Sequence, residues 1–270
     1  MRISVPEFGA VPMMMVRTAL ASLLLLPLLI WKKQHQIMLK EIVPISIAGI
    51  IGSAIPFSLI AYSTLYVTAG FASVLNAATP MFAAAVAFIW LGHRMSKIAT
   101  LGLVIGIIGV LILVWDKIGF SGGNVALAIM AGIIGTLCYG LAANFTKQKL
   151  SGVSSLAITT GSLLAATIFL LPMAIYWWPE KMPSNQAWLN VAILAIACTA
   201  LAQIIFFRLI ARTGATNATT VTFLIPVFGI LWGNIFLNEG LEIGMLIAAS
   251  IILIGTGMST GLIKRAGKIN

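Results

Sequence analysis

The chain has 270 residues, of which 60% are hydrophobic and only 8% are charged. Its mean hydropathy of +1.09 lies outside the range of soluble domains, which excludes a soluble enzyme or binding domain. The formal net charge of +10 could favour nucleic acid as a partner, but the placement of the cations indicates a different origin for the charge.

Apolar segments long enough to cross a bilayer follow one another along nearly the whole chain. A membrane-spanning helix needs about 20 predominantly apolar residues. The sequence predicts nine spans, the first to the ninth, at about 10–31, 42–67, 71–92, 97–115, 124–146, 155–178, 187–210, 215–237 and 241–262. Their unbroken hydrophobicity excludes a membrane β-barrel, whose strands would alternate. The predicted fold is an all-α, polytopic helical bundle in the cell (plasma or inner) membrane, with the lipid bilayer as its surroundings.

The Lys and Arg residues between the spans lie mostly on one side of the membrane. When the gaps are numbered alternately, 12 fall on one side and only three, Arg2, Lys117 and Lys181, fall on the other. Because cytoplasmic loops are rich in Lys and Arg, this pattern predicts an N-terminus outside and a C-terminus in the cytoplasm. The basic charge is therefore a topology signal, and no nucleic-acid partner is expected.

Several polar side chains lie inside the predicted spans. Arg17 in the first span is the only charged residue well inside a span, and burying such a group costs about 2.5 kcal/mol or more. It is a functional candidate, although it could instead snorkel outward or pair with a carboxylate at a span end. Tyr62 and Tyr139 could direct their hydroxyls into a cavity. Gln203, beside phenylalanines, could contact a ligand or another helix, and Asn144 could serve either a helix end or a ligand.

The third span reappears in the eighth after a shift of 146 residues, which places Pro80 on Pro226. A stripe at helical spacing is small, hydroxylic, amide or proline in both copies: Ser73, Asn76, Pro80, Ala83 and Ala87, matched by Thr219, Thr222, Pro226, Gly229 and Gly233. Such a stripe could be a helix-packing face. The recurring proline and amide positions favour helices that line a central cavity, with each proline leaving a backbone carbonyl free toward it.

The repeat also predicts the architecture. A shift of five helices, an odd number, makes equivalent spans run in opposite directions, which is an inverted-topology repeat of the kind found in many carriers. The two halves cover residues 1–115, with four spans, and 124–262, with five. Around an apolar cavity we expect these substrate-binding residues: Arg17, Tyr62, Asn76, Pro80, Tyr139, Gln203, Thr222 and Pro226.

Three blocks resemble the drug/metabolite transporter superfamily in its EamA-type branch: YVTAGFASVLNAATPMFAAAVAFIWLG, MMMVRTALA and TGATNATTVTFLIPVFGILWGNIFLNE. The resemblance covers nearly the whole chain. The family pattern closes the proline helix with a glutamate in both halves, whereas this chain has Glu239 in the second half and His93 in the first. The resemblance implies a permease that moves small metabolites, such as amino acids or amphipathic compounds, commonly by export and through alternating access.

Such proteins typically have ten spans, and the resemblance identifies the first as the one missing here. Arg17 lies where the second helix of the family carries its arginine. We expect the natural protein to carry a further apolar span of about 20 residues before Met1. Without that span, the chain should leave a groove open to lipid and transport poorly. An in-frame stop codon upstream of Met1, with no apolar segment between them, would contradict this expectation.

A membrane-embedded enzyme and a channel-like structural bundle are the alternative functions. The segment Gly257–Gly261 matches a nucleophile-elbow pattern, but that motif needs a strand-to-helix turn and here it ends a membrane helix. No catalytic residue, metal site or cofactor is therefore predicted. All six acids lie at span ends or in loops, which favours facilitated diffusion or exchange over proton relay. The expected partner is a small-molecule substrate, and a homodimer is left open.

Overall fold

A computed structural model describes residues 1–92, 94–118, 122–240 and 242–261 of the chain. Within these ranges the secondary structure is helical and contains no strand, which confirms the all-α fold class. His93, the residue at the position of the first-half family glutamate, lies outside the described residues.

The α-helices are α1 (Val5–Phe8), α2 (Ala10–Trp31), α3 (His35–Lys40), α4 (Ile42–Gly49), α5 (Ile55–Tyr66), α6 (Ala69–Asn76), α7 (Thr79–Leu91), α8 (Lys97–Ile118), α9 (Gly122–Lys149), α10 (Ser155–Tyr176), α11 (Asn185–Ala195), α12 (Ala202–Thr213), α13 (Ala215–Thr219), α14 (Leu224–Leu237) and α15 (Ile243–Ser259). A first π segment, Ile50–Ala54, joins α4 to α5, and a second π segment, Ile196–Leu201, joins α11 to α12. The 3₁₀ segment Thr220–Phe223 joins α13 to α14.

Eight stretches of the described chain are long and apolar enough to cross a membrane: Ala10–Trp31, Ile42–Tyr66, Ala69–Leu91, Lys97–Trp115, Gly123–Lys149, Ser155–Tyr176, Asn185–Thr213 and Asn217–Leu237. They correspond to the first eight predicted spans. The predicted ninth span corresponds to α15, whose 17 residues extend about 26 Å at 1.5 Å per residue. A polytopic helical bundle is therefore confirmed, while the count of nine spans stays a prediction.

Hydroxyl side chains begin several helices, as expected where the first backbone N–H groups lack partners. Thr68 accepts a hydrogen bond from the N–H of Phe71 before α6, and Ser154 accepts one from the N–H of Ala157 before α10. At the other end of the third span, Gly92 ends α7 in the left-handed conformation (φ 64°) that glycine adopts without strain. The polar residues between the apolar runs therefore set where these helices begin and end.

The chain divides into two compact units, and each unit takes spans from both sequence halves. Unit 1 consists of Met1–Leu65 and Phe145–Ala215, which contain the first, second, sixth and seventh spans. Unit 2 consists of Tyr66–Asn144 and the chain from Thr216 onward, with the third, fourth and eighth spans, most of the fifth span, and α15. Each unit thus holds spans that the predicted repeat pairs with one another. The halves 1–115 and 124–262 stay a prediction from the sequence.

Unit 1 is held together by apolar side chains and by a few close backbone approaches. Leu25, Leu29, Ile45 and Leu163 are buried in one cluster. A Cβ added at Gly49 in α4 would collide with the backbone of Ser162 in α10, so these two helices need a glycine where they cross.

Unit 2 contains a glycine-lined contact between α8 and α15. A Cβ added at Gly102 would lie 2.6 Å from the carbonyl oxygen of Gly255, and one added at Gly109 would lie 2.9 Å from the backbone nitrogen of Ile252. A Cβ added at Gly255 would collide with the backbone nitrogen of Gly106. These glycines let the backbones of the two helices come into contact. In lipid the hydrophobic effect does not drive helices together, so the van der Waals attraction at such a contact stabilises the pair.

The α8–α15 contact predicts the effect of a single methyl group. Replacing Gly255 with Ala should destabilise the protein by about 1–3 kcal/mol, because the added Cβ meets backbone that cannot rotate away. The measurement is the thermal-denaturation midpoint of the detergent-solubilised protein. Gly123→Ala is the matched control, since its added Cβ meets nothing within 4 Å. Equal midpoints for the two variants would contradict the close packing described here.

Candidate functional site

Arg17 in α2 is buried, with 5% of its surface exposed, so it does not snorkel outward. Its Nε donates a hydrogen bond to Thr199 Oγ1 at 2.5 Å, and its Nη2 donates to the carbonyl of Cys198 at 3.4 Å. Its guanidinium carbon lies 4.2 Å from the centroid of the Phe57 ring, within cation–π range. The charge predicted from sequence therefore lies inside unit 1, between the second and seventh spans.

Two oxygen acceptors of this guanidinium, Thr199 Oγ1 and the Cys198 carbonyl, belong to the second π segment. The wider turn of a π-helix shifts hydrogen bonds from the i−4 to the i−5 carbonyl, and such turns recur at functional sites. Thr199 Oγ1 donates to the carbonyl of Leu194, five residues earlier, at 2.8 Å while accepting from Arg17. The hydroxyl is thus fixed from both sides, and Thr199 itself is fully buried.

Gln203 lies one turn beyond Thr199 and contacts the other π segment. Its Nε2 donates a hydrogen bond to Ser53 Oγ at 3.0 Å. Its amide oxygen, Oε1, is buried and has no hydrogen-bond partner among the described residues. Tyr62, the remaining unit 1 candidate, is half-buried in α5. Arg17 therefore contacts the second π segment, and Gln203, which follows that segment in the chain, contacts the first.

In unit 2 the third span is interrupted between Asn76 and Thr79, just before Pro80. Pro80 occupies the first turn of α7, where a missing N–H is tolerated. The carbonyl that it deprives of a partner belongs to Asn76, and this oxygen accepts a hydrogen bond from Thr79 Oγ1 at 2.6 Å. The same hydroxyl lies 3.0 Å from Asn76 Oδ1. The predicted free carbonyl is therefore wrong here, because a neighbouring hydroxyl replaces the lost donor.

The eighth span also carries its proline near the start of a helix. Pro226 lies in the first turn of α14, preceded by the 3₁₀ segment. The N–H of Leu224 closes this 3₁₀ turn by donating to the carbonyl of Val221. The free carbonyl of Thr222, four residues before Pro226, therefore stays a prediction.

Seven of the ten members of the predicted stripe are buried, and the other three, Asn76, Thr222 and Gly229, are half-buried. Part of it packs helices together. A Cβ added at Gly229 would collide with the side chain of Ser73, and a Cβ added at Gly140 in the fifth span would lie 2.7 Å from the backbone nitrogen of Ala83. The helix-packing interpretation therefore holds at these positions, while the cavity-lining role of the others stays a prediction.

Asn144 is a buried cross-link between the third and fifth spans. Its Nδ2 donates to the carbonyl of Ala83 at 2.8 Å and to the carbonyl of Gly140 in its own helix at 2.9 Å. The amide therefore sits beside the close contact that Gly140 makes with the third span. Tyr139, the neighbouring candidate, is half-buried.

Glu239 binds the start of the third span. Its carboxylate oxygens accept hydrogen bonds from the N–H groups of Ala69 at 2.9 Å and Gly70 at 3.1 Å. Together with the Thr68 hydroxyl, it satisfies three of the N–H groups that begin α6. A negative charge at a helix N-terminus is also favoured by the helix dipole. The acid that closes the eighth span thus fastens that span to the third.

The eight predicted site residues are divided between the units. Arg17, Tyr62 and Gln203 belong to unit 1, and the others, Asn76, Pro80, Tyr139, Thr222 and Pro226, belong to unit 2. A single site formed by all eight stays a prediction. The sequence interpretation missed Ser53 and the two π segments. Extending the 146-residue shift to the second and seventh spans would have pointed to Ser53, because it places Ser53 on Thr199.

No group of three His, Cys, Asp or Glu side chains close enough to hold a metal ion occurs within the described ranges. The polar chemistry that these residues offer consists of a guanidinium, amides and hydroxyls. Such groups bind and orient a polar solute by hydrogen bonding.

The contact between Glu239 and the start of α6 predicts a stability effect. Glu239→Ala should destabilise the protein by about 0.5–2 kcal/mol, because two helix N–H groups lose their acceptor. Glu239→Gln, which retains one acceptor oxygen, should fall between that variant and the wild type in thermal-denaturation midpoint. Glu180→Ala, in an exposed loop, serves as the charge-matched control. A midpoint for Glu239→Ala equal to that of the control would argue against a capping role.

The sequence profile of the EamA-like transporter family matches residues 1–115 and 126–261. The chain is 26% identical over 249 residues to the "Uncharacterized transporter YvbV" of Bacillus subtilis (strain 168), covering 90% of this chain and 79% of that protein. It is 24% identical to an "Uncharacterized transporter" of Archaeoglobus fulgidus, covering 89% of this chain and 84% of that protein.

A further relative is named "Probable terminal-alkyne amino-acid exporter" and comes from Streptantibioticus cattleyicolor. It is 23% identical over 205 residues, covering 74% of this chain and 67% of its own length. One solved crystal structure superimposes with a TM-score of 0.71 over 98% of this chain and 91% of its own, at 15% identity. At that identity the likeness is one of fold.

Proposed function

This chain belongs to the EamA-like transporter family, and we propose that it is a secondary transporter that moves small polar or amphipathic metabolites across the membrane by alternating access. The observation that carries the proposal is the polar interior of unit 1. A guanidinium and an amide, Arg17 and Gln203, lie among hydroxyls in spans that are otherwise apolar. Intramembrane polar groups of this kind mark substrate pathways.

Amino acids are the proposed substrate class and export is the proposed direction. The relative named as a probable terminal-alkyne amino-acid exporter supports both. The polar interior also suits an amino acid, because Gln203 offers a buried amide oxygen that has no hydrogen-bond partner among the described residues. Asn76, Tyr62, Tyr139 and Thr222 are proposed as further polar contacts along the solute path, with Pro80 and Pro226 shaping the helices that carry them.

The proposed location is the cytoplasmic membrane, with the N-terminus outside and the C-terminus in the cytoplasm. The asymmetry of Lys and Arg between alternate gaps supports this orientation. A green fluorescent protein fused to the C-terminus should fluoresce, because it folds in the cytoplasm. An active periplasmic phosphatase fusion at the same position would overturn the orientation.

The enzyme alternative gains no support at the one motif that suggested it. Ser259 ends the helix α15 instead of occupying a strand-to-helix turn. Its hydroxyl donates to the carbonyl of Thr256 at 3.0 Å, and the residue is buried.

The transport proposal is tested with purified protein in proteoliposomes. Labelled amino acids should enter saturably, and unlabelled amino acid trapped inside should accelerate the uptake of label, which a channel does not produce. Asn76→Leu should lower the uptake rate at least about threefold at equal protein level, because a polar contact in the path is lost. Gln186→Leu, an exposed amide at the start of α11, is the control. Uptake that is linear in concentration and shows no counterflow would overturn the proposal of a carrier.

A further inference from the structure

We propose that Gln203 recognises the transported solute by accepting a hydrogen bond from it, and that Arg17 is the positioning residue that holds the seventh span for this contact. The solute group involved is an N–H donor, such as the ammonium group of an amino acid. This inference rests on the proposed transport function and adds to it the residue that selects the solute.

The first support is the local structure that surrounds Gln203. The second π segment ends at Leu201, two residues before Gln203, so the wide turn sets the direction in which the following helix presents its side chains. Thr199 lies four residues before Gln203, on the same helix face. A contact that fixes Thr199 therefore also fixes the face from which Gln203 extends.

The second support is the state of the Gln203 amide. Its nitrogen is anchored, because Nε2 donates to Ser53 Oγ at 3.0 Å. Its oxygen, in contrast, is buried without a hydrogen-bond partner among the described residues. Buried side-chain oxygens nearly always have a partner, so an exception requires an explanation. A solute that brings an N–H donor supplies the missing partner in its bound state.

The third support comes from the repeat. The 146-residue shift places the first π segment on the second, Ser53 on Thr199, and Phe57 on Gln203. The repeat-related position is thus filled by a phenylalanine, so the repeat itself does not call for a polar residue at this place. Gln203 is therefore polar where the repeat-related residue, Phe57, is apolar, as expected for a residue that contacts a solute.

The positioning role of Arg17 follows from its contacts. It binds Thr199 and the Cys198 carbonyl in the second π segment. It also lies over the ring of Phe57, which follows the first π segment in the chain. Ser53 and Gln203 form a direct link between the second and seventh spans, whereas the related pair, Phe57 and Thr199, is linked through Arg17. Arg17 therefore fixes the turn that precedes Gln203.

The test uses two labelled probes in proteoliposomes, L-leucine and its N,N,N-trimethyl derivative, which has the same carboxylate and side chain but no N–H. The wild-type protein should show a KM for leucine about three- to tenfold below that for the trimethyl compound, as expected for one hydrogen bond. Gln203→Met, close in length but without an acceptor oxygen, should remove this preference. Ser53→Ala, which frees the amide nitrogen and keeps the oxygen, should retain part of it.

The role of Arg17 is tested through Thr199. Valine there has the shape of threonine without the hydroxyl, and serine has the hydroxyl without the methyl group. Thr199→Val removes the hydroxyl that accepts from Arg17 and should raise the KM for leucine about three- to tenfold. Thr199→Ser keeps the hydroxyl and should restore the wild-type KM. Equal KM values for the two variants would overturn the positioning role, since a purely steric role of the side chain would not depend on the hydroxyl.

The outcomes separate this inference from the function beneath it. A leucine preference that survives in Gln203→Met, with the variant folded by its thermal midpoint, overturns the recognition role and leaves the transport function intact. Equal wild-type KM values for both probes also overturn it. If the wild-type protein carries neither probe, the inference fails for leucine, and the uptake of the other labelled amino acids decides the transport function separately.

Discussion

The hydrocarbon core of a bilayer offers no water to backbone N–H and C=O groups, so every helix end and helix break inside it must find a partner in the protein. The described structure meets this demand at several irregularities of the spans. The Thr79 hydroxyl replaces the donor that Pro80 lacks. The carboxylate of Glu239 binds N–H groups at the start of α6, and the Cys198 carbonyl in a π segment accepts from Arg17. Breaks in the spans are thus tolerated where polar side chains lie beside them.

Small residues allow neighbouring helices to pack closely. Between helices in lipid, association depends on close van der Waals contact and on a few hydrogen bonds. Gly255 and Gly102 bring α8 and α15 to backbone contact, and Gly140 does the same for the fifth span against the third. Beside that last contact, Asn144 adds two hydrogen bonds. The small residues and this amide together hold the helices at close distance.

The shift of 146 residues that predicts the repeat also relates the two π segments, but the side chains at the related positions differ. Both π segments occur at positions related by the same shift that relates the two prolines. The side chains differ, because Phe57 in one half corresponds to Gln203 in the other, and an arginine contacts the seventh span. An inverted repeat with identical halves would present equivalent surfaces to both sides of the membrane. The chemical difference between the halves gives this protein a distinct set of polar contacts within unit 1.

The sequence by itself determined the helical class, the positions of eight spans and the buried stripe, because each depends on composition and on a spacing of three or four residues within one helix. It also contained the family signature, which is local to short blocks. Only the tertiary structure decided which partners the polar residues have. Arg17 and Thr199 are 182 residues apart, and Glu239 lies 170 residues from Ala69. Such contacts depend on which helices pack side by side. The hydrophobic spacing along one span does not indicate which other spans pack against it. For the same reason Pro80 implied a free carbonyl at Asn76, whereas the Thr79 hydroxyl supplied the missing partner.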